Sequence, residues 1–172
     1  VMQISGVLMI LISIFIDSDE LLGHFDQSSV QPEILPDRLS CRLKHIADGD
    51  TVVANCAAYD LRIRLMGIDT PEMGQKPWGE RSKRALAARL PKVFTLENHG
   101  QDVYQRTLGT LYAGDQDINL QMIELGMAVA YRGRDTPQRY YEAEKQAKVA
   151  KLGIWSKPGD QQDPRKWRRY HL

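Results

Sequence analysis

Cysteine is almost absent from this chain: Cys41 and Cys56 are the two among 172 residues. Neither belongs to a Cys/His spacing that would hold zinc, which excludes the zinc-stapled folds. No glycine-rich loop able to cradle nucleotide phosphates occurs, so P-loop and dinucleotide-binding chemistry is excluded as well. There is no internal repeat and no low-complexity tract, and the composition is that of a globular protein with one core. Basic residues are missing from positions 1–37, where six acids occur: Asp17, Asp19, Glu20, Asp26, Glu33 and Asp37. All 23 Lys and Arg therefore lie downstream with the remainder of the 22 acids, an excess of about seven positive charges. That balance suits an anionic partner such as nucleic acid, although a solvated basic face alone is a weak sign.

Charge is also absent from residues 1–16, VMQISGVLMILISIFI. The run is long for a secretory core and slightly short for a span of roughly 20 residues. The basic stretch and small-residue cleavage site of a signal peptide are both missing. Residues 1–25 therefore read as a hydrophobic segment: a membrane anchor, an uncleaved export signal, or a helix that docks on the domain or on another copy of the chain. The expected location is exported, whether periplasmic, extracellular or membrane-anchored. Residues 26–39 are polar, proline-punctuated and linker-like. Cys41 and Cys56 flank a hairpin turn almost symmetrically, so a disulfide and a pair of small buried thiols are both open.

From residue 40 the pattern is mainly β. SCRLKHIADGDTVVANC is a strand, an Asp-Gly turn and a strand. YDLRIRLMGID alternates, with Leu61, Ile63 and Leu65 on one face and Arg62 and Arg64 on the other. Thr70, Pro71 and Glu72 have the chemistry of a helix start. A helix over WGERSKRALAARL, strands over KVFTLEN and RTLGTLYA, and helices over INLQMIELG and PQRYYEAEKQAKVAKLG follow. Five short strands bury themselves best by curling into a barrel. The expected fold is α+β, mainly β: a five-stranded OB-fold barrel with about three helices over 40–157. Residues 158–172 read as a basic tail.

Several polar residues are surplus to such a core. Asp48 and Asp50 bracket Gly49, Asp69 ends the third strand, Glu72 follows, and Arg64 and Arg106 lie on the third and fifth strands. Each has an ordinary local explanation. Together they suit attack on a phosphodiester. Oxygen ligands hold a hard divalent cation, guanidinium forks meet phosphate oxygens in pairs, and a free carboxylate can take a proton from water.

IADGDTV, RIRLMGIDTPE, DVYQRTLGTLY, INLQMIELGMAVAY and AKVAKLGIW resemble, in order and approximate spacing, the staphylococcal (thermo)nuclease-like family. The resemblance implies a calcium-dependent endonuclease acting on DNA and RNA, with single-stranded or denatured substrate preferred and 3′-phosphate products. It implies that Asp50, Asp69 and the carbonyl of Thr70 hold Ca2+, and that Glu72 activates or orients water. Arg64 and Arg106 would hold the scissile phosphate, Asp48 would support the aspartates from behind, and Tyr104 and Tyr131 would line a nucleotide pocket. Trp155 in GIW is expected in the core. The chain departs from the founding member at Val103, where a lysine is usual, at Gln105, where glycine is usual, and at Gly133, where a second pocket tyrosine is usual. The loop MGQKPWGERSK is also shorter and poorer in lysine. An alternative is a non-catalytic barrel that binds nucleic acid or protein and is tethered by its N-terminal segment. The anchoring and self-association expected of residues 1–16 belong to either reading.

Overall fold

The computed structural model of the chain describes residues 35–171. The expectations for segment 1–25, and for the part of the linker before Leu35, lie outside the described residues. Strand β1 (Arg38–Ile46) begins inside the span read as linker and is followed by β2 (Thr51–Cys56), β3 (Tyr59–Leu65) and the short β4 (Ile68–Asp69). Helix α1 (Trp78–Arg89) precedes β5 (Val93–Gln101), β6 (Thr107–Ala113) and the short β7 (Gln116–Asp117). Helix α2 (Ile118–Glu124), the short β8 (Val129–Ala130), α3 (Gln138–Val149) and α4 (Pro164–His171) complete the order. Among the described residues no helix is long and apolar enough to cross a membrane.

The sheet runs β3-β2-β1-β5-β6-β7, and an added parallel pairing of β3 with β6 closes five strands into a barrel. Closure removes the exposed edges that five short strands would otherwise present. Alternation decides which faces point inward. Leu61, Ile63 and Leu65 of β3 are buried, as are Val52, Ala54 and Cys56 of β2, and they meet Phe94, Leu96 and Leu111 in one core with Ile118, Met122 and Ile123 of α2. Cys41 lies opposite Cys56 in the β1–β2 register, with Cα atoms 4.2 Å apart, and the two form a disulfide. The ladder has therefore resolved the open choice at this pair.

Three local expectations change. No helix starts at Thr70: α1 begins at Trp78, and residues 70–77 form a looped segment. The Thr70 hydroxyl is spent on Asp50 rather than on a helix terminus, while the Gln75 side chain accepts from Glu72 N at 2.7 Å. Trp155 is only partly covered. Ile154 takes the core position, and the Trp155 ring instead packs beneath Lys148 Nζ, 4.4 Å from its centroid. Finally, the basic tail contains a fourth helix, α4, whose first turn is tied by Asp163 Oδ1 accepting from Lys166 N at 2.9 Å.

Candidate active site

The turn between β1 and β2 brings the first carboxylates together. Asp48 Oδ1 accepts from Asp50 N at 3.0 Å, the usual way an aspartate shapes a turn. Gly49 is required here for space. A Cβ on it would lie 2.7 Å from Ser82 Cβ and 2.9 Å from Thr70 Oγ1. Thr70 therefore approaches closely, and both its N (3.0 Å) and its Oγ1 (2.9 Å) donate to Asp50 Oδ2. The β2–β3 register pairs Thr51 with Arg64, which sets Arg64 next to Asp50. Arg64 Nη1 lies 2.9 Å from Asp50 Oδ2 and Nη2 lies 3.4 Å from Asp69 Oδ1, so one guanidinium spans both aspartates.

Asp69 is held from the other side of the fold. Its strand β4 pairs with β8, with Asp69 opposite Val129 and Ile68 opposite Ala130. Barrel closure delivers the second arginine: Arg64 lies opposite Leu108 in the parallel β3–β6 ladder, which brings the turn before β6 alongside. In that turn Asp102 Oδ1 accepts from Tyr104 N and Arg106 N, and Asp102 Oδ2 accepts from Arg106 Nε at 2.8 Å and pairs with Nη2 at 2.7 Å. The Arg106 guanidinium also lies over the Tyr104 ring, 5.5 Å from its centroid. Gln105 takes a φ of 60°, the left-handed conformation that a glycine would adopt more easily.

All the residues expected at the site (Asp48, Asp50, Arg64, Asp69, Thr70, Glu72, Tyr104, Arg106 and Tyr131) line one cleft of about 650 Å³. The aspartates sit at its buried end, Asp50 7% and Asp69 3% exposed. Tyr104 and Tyr131 sit at its open end, 77% and 44% exposed, so neither is barrel packing. A neighbouring cavity of about 770 Å³, walled by residues of α3 and α4, shares Asp69 and Tyr131 with it. Arg106 makes no ion pair with the aspartate pair; its partner is Asp102.

Burial dominates the electrostatics of the acidic end. Burial pushes the Asp69 carboxyl above the ordinary carboxylate range, and Arg168 and Arg64 offset only part of that. Burial, and then the neighbouring Asp50, push Asp48 up as well. Asp102 behaves oppositely: desolvation works against its charge, but hydrogen bonds from the Arg106 backbone and guanidinium hold it below that range.

Three residues of this region were not foreseen. Asp102 was recoverable from its spacing, four residues ahead of Arg106 in a turn. Gln75, buried, links the Glu72 loop to the C-terminal segment through Nε2 donating to Asp160 O at 3.0 Å. Arg168 of α4 reaches into the cleft and bonds Asp69 and Glu72. Nothing local distinguishes it from the other basic residues of the tail.

The residue set fits a hard cation. Two buried carboxylates and a main-chain carbonyl from Thr70 are all-oxygen donors of the kind calcium takes. That two guanidiniums crowd onto these carboxylates shows that the pocket calls for positive charge. Among the described residues no three His, Cys, Asp or Glu side chains converge as a metal cluster, so carbonyl and water oxygens would have to complete the shell.

Comparison with known proteins places these features in a lineage. Residues 62–157 match a family described as staphylococcal nuclease homologue. A micrococcal nuclease of Shigella flexneri is 40% identical over 136 residues, covering 72% of this chain and 77% of that protein. An uncharacterized endonuclease of Haemophilus influenzae is 36% identical over 132 residues, covering 76% and 73%. A thermonuclease of Staphylococcus intermedius is 30% identical over 172 residues, covering 89% and 97%.

Proposed function

From the chain's membership of the staphylococcal nuclease homologues, we propose that it is a calcium-dependent endonuclease that hydrolyses phosphodiester bonds in DNA and RNA, favours single strands, and leaves 3′-phosphate ends. The observation that carries this reading is the convergence of Asp50, Asp69, Glu72, Arg64 and Arg106 on one cleft, from segments far apart in sequence. A module that only bound a strand would have no use for buried carboxylates among the basic groups.

In this mechanism Asp50, Asp69 and the Thr70 carbonyl would hold the cation, which when bound would supply Lewis acidity and positive charge for the phosphoryl oxygens. Glu72 accepts a proton as the water oxygen bonds to phosphorus and the P–O5′ bond breaks; the 5′-oxygen leaves with the electron pair and takes a proton from solvent, and phosphate stays on the 3′ side. Arg64 and Arg106 take up the charge that grows on the non-bridging oxygens, each through a planar fork. Asp102 orients Arg106. Tyr104 and Tyr131 offer ring faces to bases at the open end, where stacking tolerates any sequence.

The deciding experiment is cleavage of heat-denatured DNA with EDTA and then with excess calcium, with Glu72→Gln as control. Loss in chelator, recovery with calcium and inactivity of the variant are expected. Full activity in chelator would remove the calcium role. We further propose that the protein works outside the reducing cytosol, because a Cys41–Cys56 bridge persists in oxidising compartments. Thiol titration of unfolded, unreduced protein should then detect no free sulfhydryl; two would count against export.

A further inference from the structure

Arg168 lies beyond the stretch that matches the family, 62–157, yet it makes the closest contacts to the acidic end of the cleft. Its fork is bidentate on Asp69, Nη1 to Oδ1 at 3.0 Å and Nη2 to Oδ2 at 2.8 Å, and Nη1 also donates to Glu72 Oε1 at 2.7 Å. Both Asp69 oxygens are thereby engaged, and Arg64 already takes part of Oδ1. A guanidinium in this position and a divalent cation on Asp69 would draw on the same lone pairs and repel one another at short range.

The contact is built rather than incidental. The Trp167 ring beside Arg168 seats against Gly74 of the Glu72 loop, where a Cβ would lie 2.8 Å from Cη2. The Gln75–Asp160 bond ties the same loop to the segment leading into α4. Trp167 also stacks on His171, with ring centroids 4.4 Å apart and planes 7° apart. Helix α4 is only eight residues long and carries Arg165, Lys166, Arg168 and Arg169. A helix this short and this charged has little stability of its own, so its order depends on docking.

We propose that α4 is a tethered plug: docked, it places Arg168 on Asp69 and Glu72 and closes the acidic site, so that α4 docking and divalent-cation binding compete. The plug rests on the calcium reading above. It also keeps Glu72 engaged, so the docked form is inactive on two counts. Cation binding releases α4, and the basic helix becomes available to a nucleic-acid strand only in the loaded state. If α4 is docked about nine-tenths of the time, the apparent calcium affinity is roughly tenfold below that of the open site.

The test uses the full chain and calcium chloride. Isothermal titration of the wild type, Arg168→Gln and Arg168→Lys should show affinity about tenfold tighter in the glutamine variant, with lysine between because it cannot form the fork. Hydrogen exchange on the wild type alone is the second measurement, and it does not depend on any variant folding. Saturating calcium should speed exchange across 164–171 and leave the barrel strands protected. Equal affinities would overturn the plug, and so would unchanged α4 protection on saturation with calcium. So would weaker binding by Arg168→Gln, which would make Arg168 a support of the site rather than a competitor. Calcium uptake without a difference between the proteins rejects the plug alone, whereas no uptake by any of them rejects the calcium reading with it.

Discussion

Asp102→Asn is the sharpest test of how the Arg106 turn works. Asn retains an acceptor for the main-chain bonds that Oδ1 takes from Tyr104 N and Arg106 N, so the turn is preserved. It replaces Oδ2 with an amide that faces Arg106 Nε and Nη2 as a donor, so the guanidinium clamp is lost. Hydrogen bonds to charged groups contribute about 1.5–3 kcal/mol. The Arg106 side chain is 26% exposed, which weakens the pair, and about 1–2 kcal/mol is a fair figure for the clamp. If that energy holds Arg106 ready for the transition state, turnover falls roughly 5- to 30-fold with little change in KM. The ceiling is the loss of the arginine itself, on the order of a hundredfold or more. The assay is steady-state cleavage of a single-stranded oligonucleotide, with Asp102→Asn, Arg106→Ala and the double variant compared. Turnover equal to wild type would show that Arg106 needs no clamp. A double variant worse than Arg106→Ala alone would show that Asp102 acts elsewhere. Stability adds a second check. Because the folded Asp102 pKa is depressed, its contribution is fully present above the unfolded value near 4 and is lost as pH falls through the folded value. The stability gap between wild type and Asp102→Asn should therefore be flat from about pH 5 upward and close only in stronger acid.

The disulfide spans a sequence separation of 15, for which loop closure gives about 3 kcal/mol. Replacing Cys41 and Cys56 together by alanine should lower urea-unfolding stability by about that amount, and a loss under about 1 kcal/mol would contradict the loop argument. Gly49→Ala should push Thr70 off Asp50, destabilising by about 1–3 kcal/mol and weakening calcium binding together; calorimetry showing normal calcium affinity would refute the link. Tyr104→Ala should raise KM for single strands about 5- to 150-fold, the range expected for one lost base stack, with turnover little changed. An unchanged KM would make Tyr104 a bystander.

What the sequence made legible was the part governed by short-range rules. Alternation in YDLRIRL put Leu61, Ile63 and Leu65 inside and Arg64 on the polar side, and the barrel followed from five such strands with no other way to cover their edges. The convergence of the candidate residues follows from strand register, with Thr51 opposite Arg64, and Arg64 opposite Leu108 two residues past Arg106. Thr70 starts no helix because its hydroxyl has a stronger competing partner. The same hydroxyl that would serve a helix terminus reaches a buried carboxylate twenty residues earlier, and a buried acceptor has the greater claim. Arg168 could not be read at all. Its partner Asp69 is 99 residues away, and no periodicity or spacing marks one arginine among the three of RKWRR as the inward one.

The acidic centre is shaped by residues that never touch it. Glu144 of α3 is buried, and its Oε1 accepts from Ala130 N at 3.1 Å. Ala130 belongs to β8, which fixes β4 and therefore Asp69. Tyr131 N, the next residue, donates to Gly67 O at 2.9 Å, which ties the end of β8 to the turn leading into β4. Arg132 and Lys148 both pair with the Glu144 carboxylate. A two-residue strand such as β4 has too few ladder bonds to hold an unfavourably buried carboxylate by itself. The position of Asp69 is thus inherited from α3, across the barrel's flank. Substitutions at Glu144 should consequently displace Asp69, and with it the proposed cation site, before they damage the barrel, whose own closure depends on β3 and β6 and not on β8.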